Sequence, residues 1–143
     1  MTKSISSPGC AVEWGERGQV SLSLLWPPVP ASRPRVSRWG VYYGKNYKEW
    51  MQVAEDVVPQ NTRGPLQGPV VVRVSFVCHR PRTTKRSYPR GDGDNFEKAV
   101  YDVITKKGYW EDDDQIVKAC WEKRFVCPEE APRVDIEIGE YEA

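Results

Sequence analysis

The sequence of 143 residues has a single histidine, His79, and four cysteines, none of them in a Cys-x-x-Cys pair. Cys10, Cys78, Cys120 and Cys127 therefore lack the spacing of a zinc framework. His79 adjoins Cys78, so in a strand the two side chains would point to opposite faces. The cysteines read as free thiols. Also missing is any apolar run near the roughly 20 residues needed to cross a bilayer, and Met1-Thr2-Lys3-Ser4 lacks the hydrophobic core of a signal peptide. A cytoplasmic protein with no membrane partner and no nucleotide cofactor is expected. Net charge is almost absent, at a formal +1.

That near-neutrality conceals a division. From Arg33 to Arg90 there are 12 Lys/Arg against 3 Asp/Glu, whereas Gly91 to Ala143 holds 7 against 15. A strongly basic half suits a polyanion, and an acidic half beside it suits a cation. Twelve prolines and eleven glycines imply long ordered loops, because six tryptophans and seven tyrosines give a composition that can build a core. The length fits one domain. Residues 1–18, aperiodic and rich in Ser and Gly, read as a loose N-terminal extension, and residues 19–143 as the domain.

Val20, Leu22 and Leu24 alternate with serines as a half-buried strand that Trp26-Pro27-Pro28 ends. A proline-rich loop runs to about Gly44. Tyr47, Trp50, Met51, Ala54 and Val58 mark one face of a helix that stops before Pro59. Val70 to Cys78 is a valine-rich strand expected at the centre of a sheet. Asp94 with Glu97 resembles a capping box, opening a helix with an apolar face of Phe96, Ala99, Val100, Val103 and Ile104, which Gly108 ends. Val117, Ala119, Trp121 and Phe125 predict one face of a further strand, and Val134, Ile136 and Ile138 one face of the last. The order β-α-β-α-β-β gives an α/β fold of α+β-like character, a small mixed sheet covered by two helices.

The chemistry concentrates in Arg90-Gly91-Asp92-Gly93-Asp94-Asn95-Phe96-Glu97-Lys98 and, one helix later, Tyr109-Trp110-Glu111-Asp112-Asp113-Asp114-Gln115. Asp92 and Asp94 lie two residues apart at a helix start, where exposed amides favour negative charge. If the return of the chain brings Asp112 to Asp114 beside them, the carboxylates need a hard oxygen-loving cation, Mg²⁺ or Mn²⁺, rather than zinc or copper. Lys98, one turn after Asp94, sets an ammonium near the cluster, able to orient or deprotonate water or to neutralise phosphate charge. Taken singly, each feature also has an ordinary reading: a helix cap, a solvated turn and a surface Glu-Lys pair. An EF-hand is a poor match, since Phe96 and Glu97 stand where that loop continues with Asp or Asn and Gly.

Asp92-Gly-Asp94-Asn95-Phe-Glu-Lys98, followed by Gly108-Tyr-Trp-Glu-Asp112-Asp113-Asp114-Gln115, resembles the signature of the RusA family of Holliday junction resolvases. The likeness reaches back through Tyr47-Lys48-Glu49-Trp50 to Trp26-Pro27-Pro28 and covers roughly residues 19–138. It implies a homodimeric, Mg²⁺-dependent endonuclease of DNA recombination and repair, of phage or prophage kind, making paired nicks in four-way junctions. By that resemblance Asp92, Asp94 and Asp113 are metal-binding and catalytic, Lys98 is the catalytic lysine, Asp112 is accessory and Asn95 positions the site. The sequence departs from the pattern in Gly91 and Gly93, expected to loosen the site, in the extra acid Asp114, which leaves the third ligand open, and in the added N-terminal segment.

Phosphate binding would fall to Arg33, Arg35, Arg38, Lys45 and Lys48 in the first loop and helix, and to Arg80, Arg82, Lys85, Arg86 and Arg90 in the loop leading to Asp92. Trp39, Tyr42, Tyr43 and Tyr88 could stack on unpaired bases or pack in the core. A non-catalytic module that binds junction DNA is the alternative, with the acidic cluster then structural.

Overall fold

The computed structural model describes residues 3–7, 9–15, 18–31, 35–37, 40–42 and 45–142, with 3–7, 35–37, 40–42 and 45 described through their backbone alone. Six strands form one mixed sheet in the order β1-β2-β3-β8-β6-β7, and two helices lie on one face. The strands are β1 Lys3–Ser7, β2 Cys10–Trp14, β3 Val20–Leu24, β6 Val70–Cys78, β7 Ile116–Phe125 and β8 Arg133–Glu140. A separate hairpin, β4 Arg35–Ser37 with β5 Gly40–Tyr42, sits in the proline-rich stretch. The helices are α1 Lys45–Val57 and α2 Gly93–Lys106.

Alternation decides which face is dry. Cys10, Val12 and Trp14, then Val20, Leu22 and Leu24, then Val134, Ile136 and Ile138, are all buried, as are Val70, Val72, Val74 and Phe76. Against them pack Tyr47, Trp50, Ala54 and Val58 from the first helical segment and Phe96, Ala99, Val100, Val103 and Ile104 from the second. Truncating one of these large side chains to alanine would cost about 2–5 kcal/mol. No polar or charged residue is buried among the described residues.

The expected order from the Val20 strand onward is present, and Val70–Cys78 is internal, flanked by β8 and β7. Its Val70–Val74 stretch therefore offers no free edge. Two expectations are corrected. Residues 3–14 are not a loose extension but two antiparallel strands joined to β3, because the alternation Cys10, Val12, Trp14 supplies a buried face hidden among small residues. The face Val117, Ala119, Trp121 is covered only in part: β7 is the sheet's outer strand, which α2 meets only where its start lies against Trp121, and Val117 and Trp121 are 55% and 42% exposed. The sheet is antiparallel except where β7 runs parallel to β6, a pairing that needs the long crossover α2 provides.

Candidate active site

The crossover carries the acidic motifs, one at each end. The loop after β6 enters α2 through Gly91-Asp92-Gly93. Gly91 has φ +107, and a Cβ there would lie 2.8 Å from the Phe96 ring and 3.2 Å from Pro30. A Cβ on Gly93 would lie 2.0 Å from Trp121. The two glycines therefore do not loosen the site: they let the backbone of the Asp92 loop pass between aromatic rings with no side chain in the way. The Lys123 ammonium donates to the backbone carbonyls of Pro89 and Gly91, tying the same loop to β7.

The helix starts two residues earlier than a capping box at Asp94 requires. Asp92 is the N-cap, in extended backbone, and its side chain makes no capping bond. Asp94 lies in the first turn, where its Oδ1 accepts from the Asn95 N–H at 3.0 Å. Both carboxylates are exposed, and Asn95 is half-buried, its backbone carbonyl accepting from the Ala31 N–H at 2.8 Å.

At the other end the chain reverses through a 310 turn, Asp113–Gln115. The capping box is here: the Asp112 side chain accepts from the Asp114 N–H at 3.2 Å, and Gln115 Oε1 accepts from the N–H groups of Glu111 and Asp112. Gln115 Nε2 in turn donates to the carbonyls of Leu66 and Gly68, both at 2.9 Å, fixing the turn to the loop before β6. Four bonds from one amide make the acidic turn a rigid element.

Lys98 and Asp102 stand one helical turn apart, with Lys98 Nζ 3.7 Å from Asp102 Oδ1, and the Tyr47 hydroxyl donates to Asp102 Oδ2 at 3.4 Å. Asp113 joins this group. Its carboxyl is held above the ordinary carboxylate value, first by partial desolvation, then by a hydrogen bond with Asp112 and the negative charges of Asp112 and Asp102, while Lys98 pulls it down. These residues line a cleft of about 700 Å³ between α1 and α2, which Lys48 and Glu55 bound on the opposite side.

Lys98, Asp112 and Asp113 are thus brought together, with Asp102, which sequence reasoning missed, although its i+4 relation to Lys98 was there to be read. Asp94, one turn before Lys98, and the N-cap Asp92 lie at the start of the same helix. Among the described residues no three His, Cys, Asp or Glu side chains gather closely enough to hold a metal ion alone. The donor set still suits a hard divalent cation: all donors are oxygen, and adjacent carboxylates at Asp112 and Asp113 repel until a cation neutralises them.

The basic residues divide by position. Arg80, Arg82, Lys85 and Arg90 are exposed on the loop that runs into Asp92. The Arg80 guanidinium lies over the Phe125 ring, and that of Arg86 lies 4.5 Å from the Tyr88 ring centroid. Lys85, Arg86 and Arg90 line a second cleft of about 580 Å³ with His79 and Pro89. Lys48 is exposed on α1, Arg35 and Lys45 are placed by backbone only, and Arg33 and Arg38 lie outside the described residues, as do Trp39 and Tyr43. Lys123 was not anticipated; its sequence parity with Trp121, on the helix-side face of β7, was the available signal.

A basic loop feeding a helix that carries carboxylates has the chemistry of an enzyme that acts on nucleic acid backbones. The family model for endodeoxyribonuclease RusA matches residues 26–139, and the chain belongs to that family. The crossover junction endodeoxyribonuclease RusA of Escherichia coli K12 is 33% identical over 100 residues, covering 68% of this chain and 76% of that one. The enzyme of the same name from enterobacteria phage 82 is 32% identical over 99 residues, covering 67% and 75%. Among solved structures, the periplasmic domain of Helicobacter pylori MotB superimposes with a TM-score of 0.45 at 13% identity, over 98% of this chain and 88% of that one. That likeness is too slight to bear on fold or activity. No helix among the described residues is long and apolar enough to cross a membrane.

Proposed function

We propose that the protein is a structure-selective endonuclease that resolves four-way DNA junctions by paired nicks, as a homodimer and with Mg²⁺. The observation that carries this reading is the continuity of the basic loop with the acidic helix. Arg80, Arg82, Lys85, Arg86 and Arg90 end two residues before Asp92, so a phosphate backbone held by the loop is delivered to the start of α2. The resemblance to crossover junction endodeoxyribonucleases supports the substrate, and a two-fold dimer would match the two equivalent strands of a junction.

On this reading Asp92, Asp94 and Asp113 hold the ion, with Asp112 as accessory acid, and phosphate and water oxygens complete its shell. When bound, Mg²⁺ would supply an activated water and charge neutralisation at the phosphate. Lys98, paired with Asp102, offsets negative charge that builds on the phosphoryl oxygens. Asn95, bonded through its backbone to Ala31, holds the first helical turn in place. The rigid 310 turn fixes Asp112 and Asp113 in a position that substrate does not have to pay to organise.

A second reading is favoured by one observation, the lack of a three-carboxylate group within the described residues of one chain. It makes the protein a binding module for junction DNA. Wild type and Asp94→Asn are to be incubated with a labelled four-way junction and a matched linear duplex, with Mg²⁺ or chelator. Asparagine keeps the acceptor for the Asn95 N–H and removes the charge. Paired nicks by wild type alone, reduced at least ~100-fold in the variant with binding intact, support the nuclease. Tight binding without nicks under any divalent metal supports the module.

A further inference from the structure

The homodimer of the proposed function leaves open which surface pairs, and β7 carries an answer. Nine of its ten residues pair with β6, and among the described residues its other side pairs with nothing. A long outer strand with unpaired N–H and C=O groups is a template for another strand, which soluble proteins blunt with proline, bulges, charge or short length. Ile116 to Phe125 contains no proline, and its one register shift, at Val117, leaves Lys118 to Phe125 a regular edge whose charges can be matched by a partner. Trp121 stands exposed on its helix-side face with Ala119 exposed beside it, and Val117 is exposed at the shift.

We propose that the free edge of β7 pairs antiparallel with β7 of a second copy, in the register centred on Cys120. This rests on the dimer in the reading above. Two copies that extend one sheet antiparallel are related by an axis normal to it, so facing residues share a face and the centre must fall on a residue. Centring on Lys118 or on Glu122 sets that charge against its own copy. Centring on Trp121 sets Lys118 against Arg124. Centring on Ala119 leaves Lys118 opposite Cys120 and Glu122 opposite Ile116. Centring on Cys120 pairs Lys118 with Glu122 twice and sets small Ala119 against large Trp121 twice.

The consequence reaches the site. The Trp121 ring fills the space beside Gly93, so the contact lies directly against the start of α2. The axis normal to the sheet puts both copies of α2 on one side of a continuous sheet, where both can face one DNA molecule.

In the paired register the two Cys120 Cα atoms stand about 4.5–5.5 Å apart, within disulfide reach; a slip of two residues takes them beyond about 7 Å. Cys120 and Cys127 are exposed, whereas Cys10 and Cys78 are buried. Cys127→Ser protein is to be oxidised with copper phenanthroline and compared with Cys120→Ser/Cys127→Ser, alongside light scattering and junction cleavage. The expected result is a covalent dimer in the first and none in the second. Lys118→Glu and Glu122→Lys should each weaken the dimer about tenfold and the double variant restore it. A dimer without Cys120 cross-linking, or single reversals without effect, overturns this surface and leaves the nuclease reading standing. A chain monomeric at all concentrations also overturns it. Cross-linking by a protein that never cuts junctions upholds the surface and sinks the nuclease reading.

Discussion

Gly93→Ala tests how the start of α2 is built. An added Cβ would lie 2.0, 2.1 and 2.6 Å from three atoms of the Trp121 indole, against the 3.5–4.0 Å of ordinary carbon contact, so the ring must move by about 1.5 Å. Overpacking of this kind costs about 1–3 kcal/mol. The lower end applies, because Trp121 is 42% exposed and its far edge can swing toward solvent. Alanine for glycine at a helical position returns about 0.5–1 kcal/mol. The balance is a net loss of up to about 0.5 kcal/mol, a fall of up to about 2 °C in Tm for a chain of this size. Calorimetry of Gly93→Ala, Trp121→Ala and the double variant isolates the contact, since alanine at 121 removes the obstacle. The double variant should recover about 1 kcal/mol relative to the sum of the singles. A Gly93→Ala protein that melts higher than wild type, as an unobstructed Gly-to-Ala change in a helix would, refutes the packing argument. Gly91→Ala should cost more, about 2–4 kcal/mol, because it adds a positive φ to a clash with buried Phe96.

Asp113→Asn should abolish cleavage yet stabilise the metal-free fold. A carboxyl whose folded pKa is raised is favoured while protonated and loses that advantage as pH rises through its folded pKa, so at pH 7.5 its charge destabilises. Discounted for its exposure, the gain is on the order of 0.5 kcal/mol, or about 2 °C in Tm, and should vanish in melts near pH 3; a lower Tm at pH 7.5 in chelator would sink the argument. Arg82→Ala, at an exposed loop position, should leave Tm unchanged and reduce the slope of log K for junction DNA against log salt by about 1, as read by anisotropy titrations at several salt concentrations; an unchanged slope removes Arg82 from the phosphate path. Burial pushes the thiols of Cys10 and Cys78 up to about 11, so at pH 8 neither should react with a disulfide reagent until the chain unfolds, and rapid labelling of all four cysteines would refute that burial.

The parts of this fold legible in the sequence are those in which a period meets a complete face. Tyr47, Trp50, Ala54 and Val58, and Phe96 to Ile104, are helical stripes whose partners are the alternating valines and isoleucines of β3, β6 and β8, so pattern and burial agree. The strand at Cys10–Trp14 has the same alternation over only five residues among glycine, serine and proline, too short a signal to separate from a loop. The Val117–Trp121 stripe was visible as a strand face, but whether something covers it depends on strand order, which no local pattern encodes. The site divides in the same way. Asp92, Asp94, Lys98, Asp112 and Asp113 announce themselves as charges in a motif. Asp102 belongs to no motif, and only the turn after α2 brings Asp113 to it.

The structure also changes what the two glycines mean. A loose Asp92 loop would leave catalytic geometry to the substrate, but this loop is held at three points: Phe96 against Gly91, Trp121 against Gly93, and the Lys123 ammonium on the carbonyls of Pro89 and Gly91. Two of the three come from β7. The outer strand is thus both largely exposed and the brace of the acidic helix, and a contact that orders it would stiffen the Asp92 loop through Trp121 and Lys123 together. A strand that served only as an edge would have no reason to reach the crossover loop with two side chains of one face, Trp121 and Lys123. Their placement ties whatever pairs with β7 to the position of Asp92.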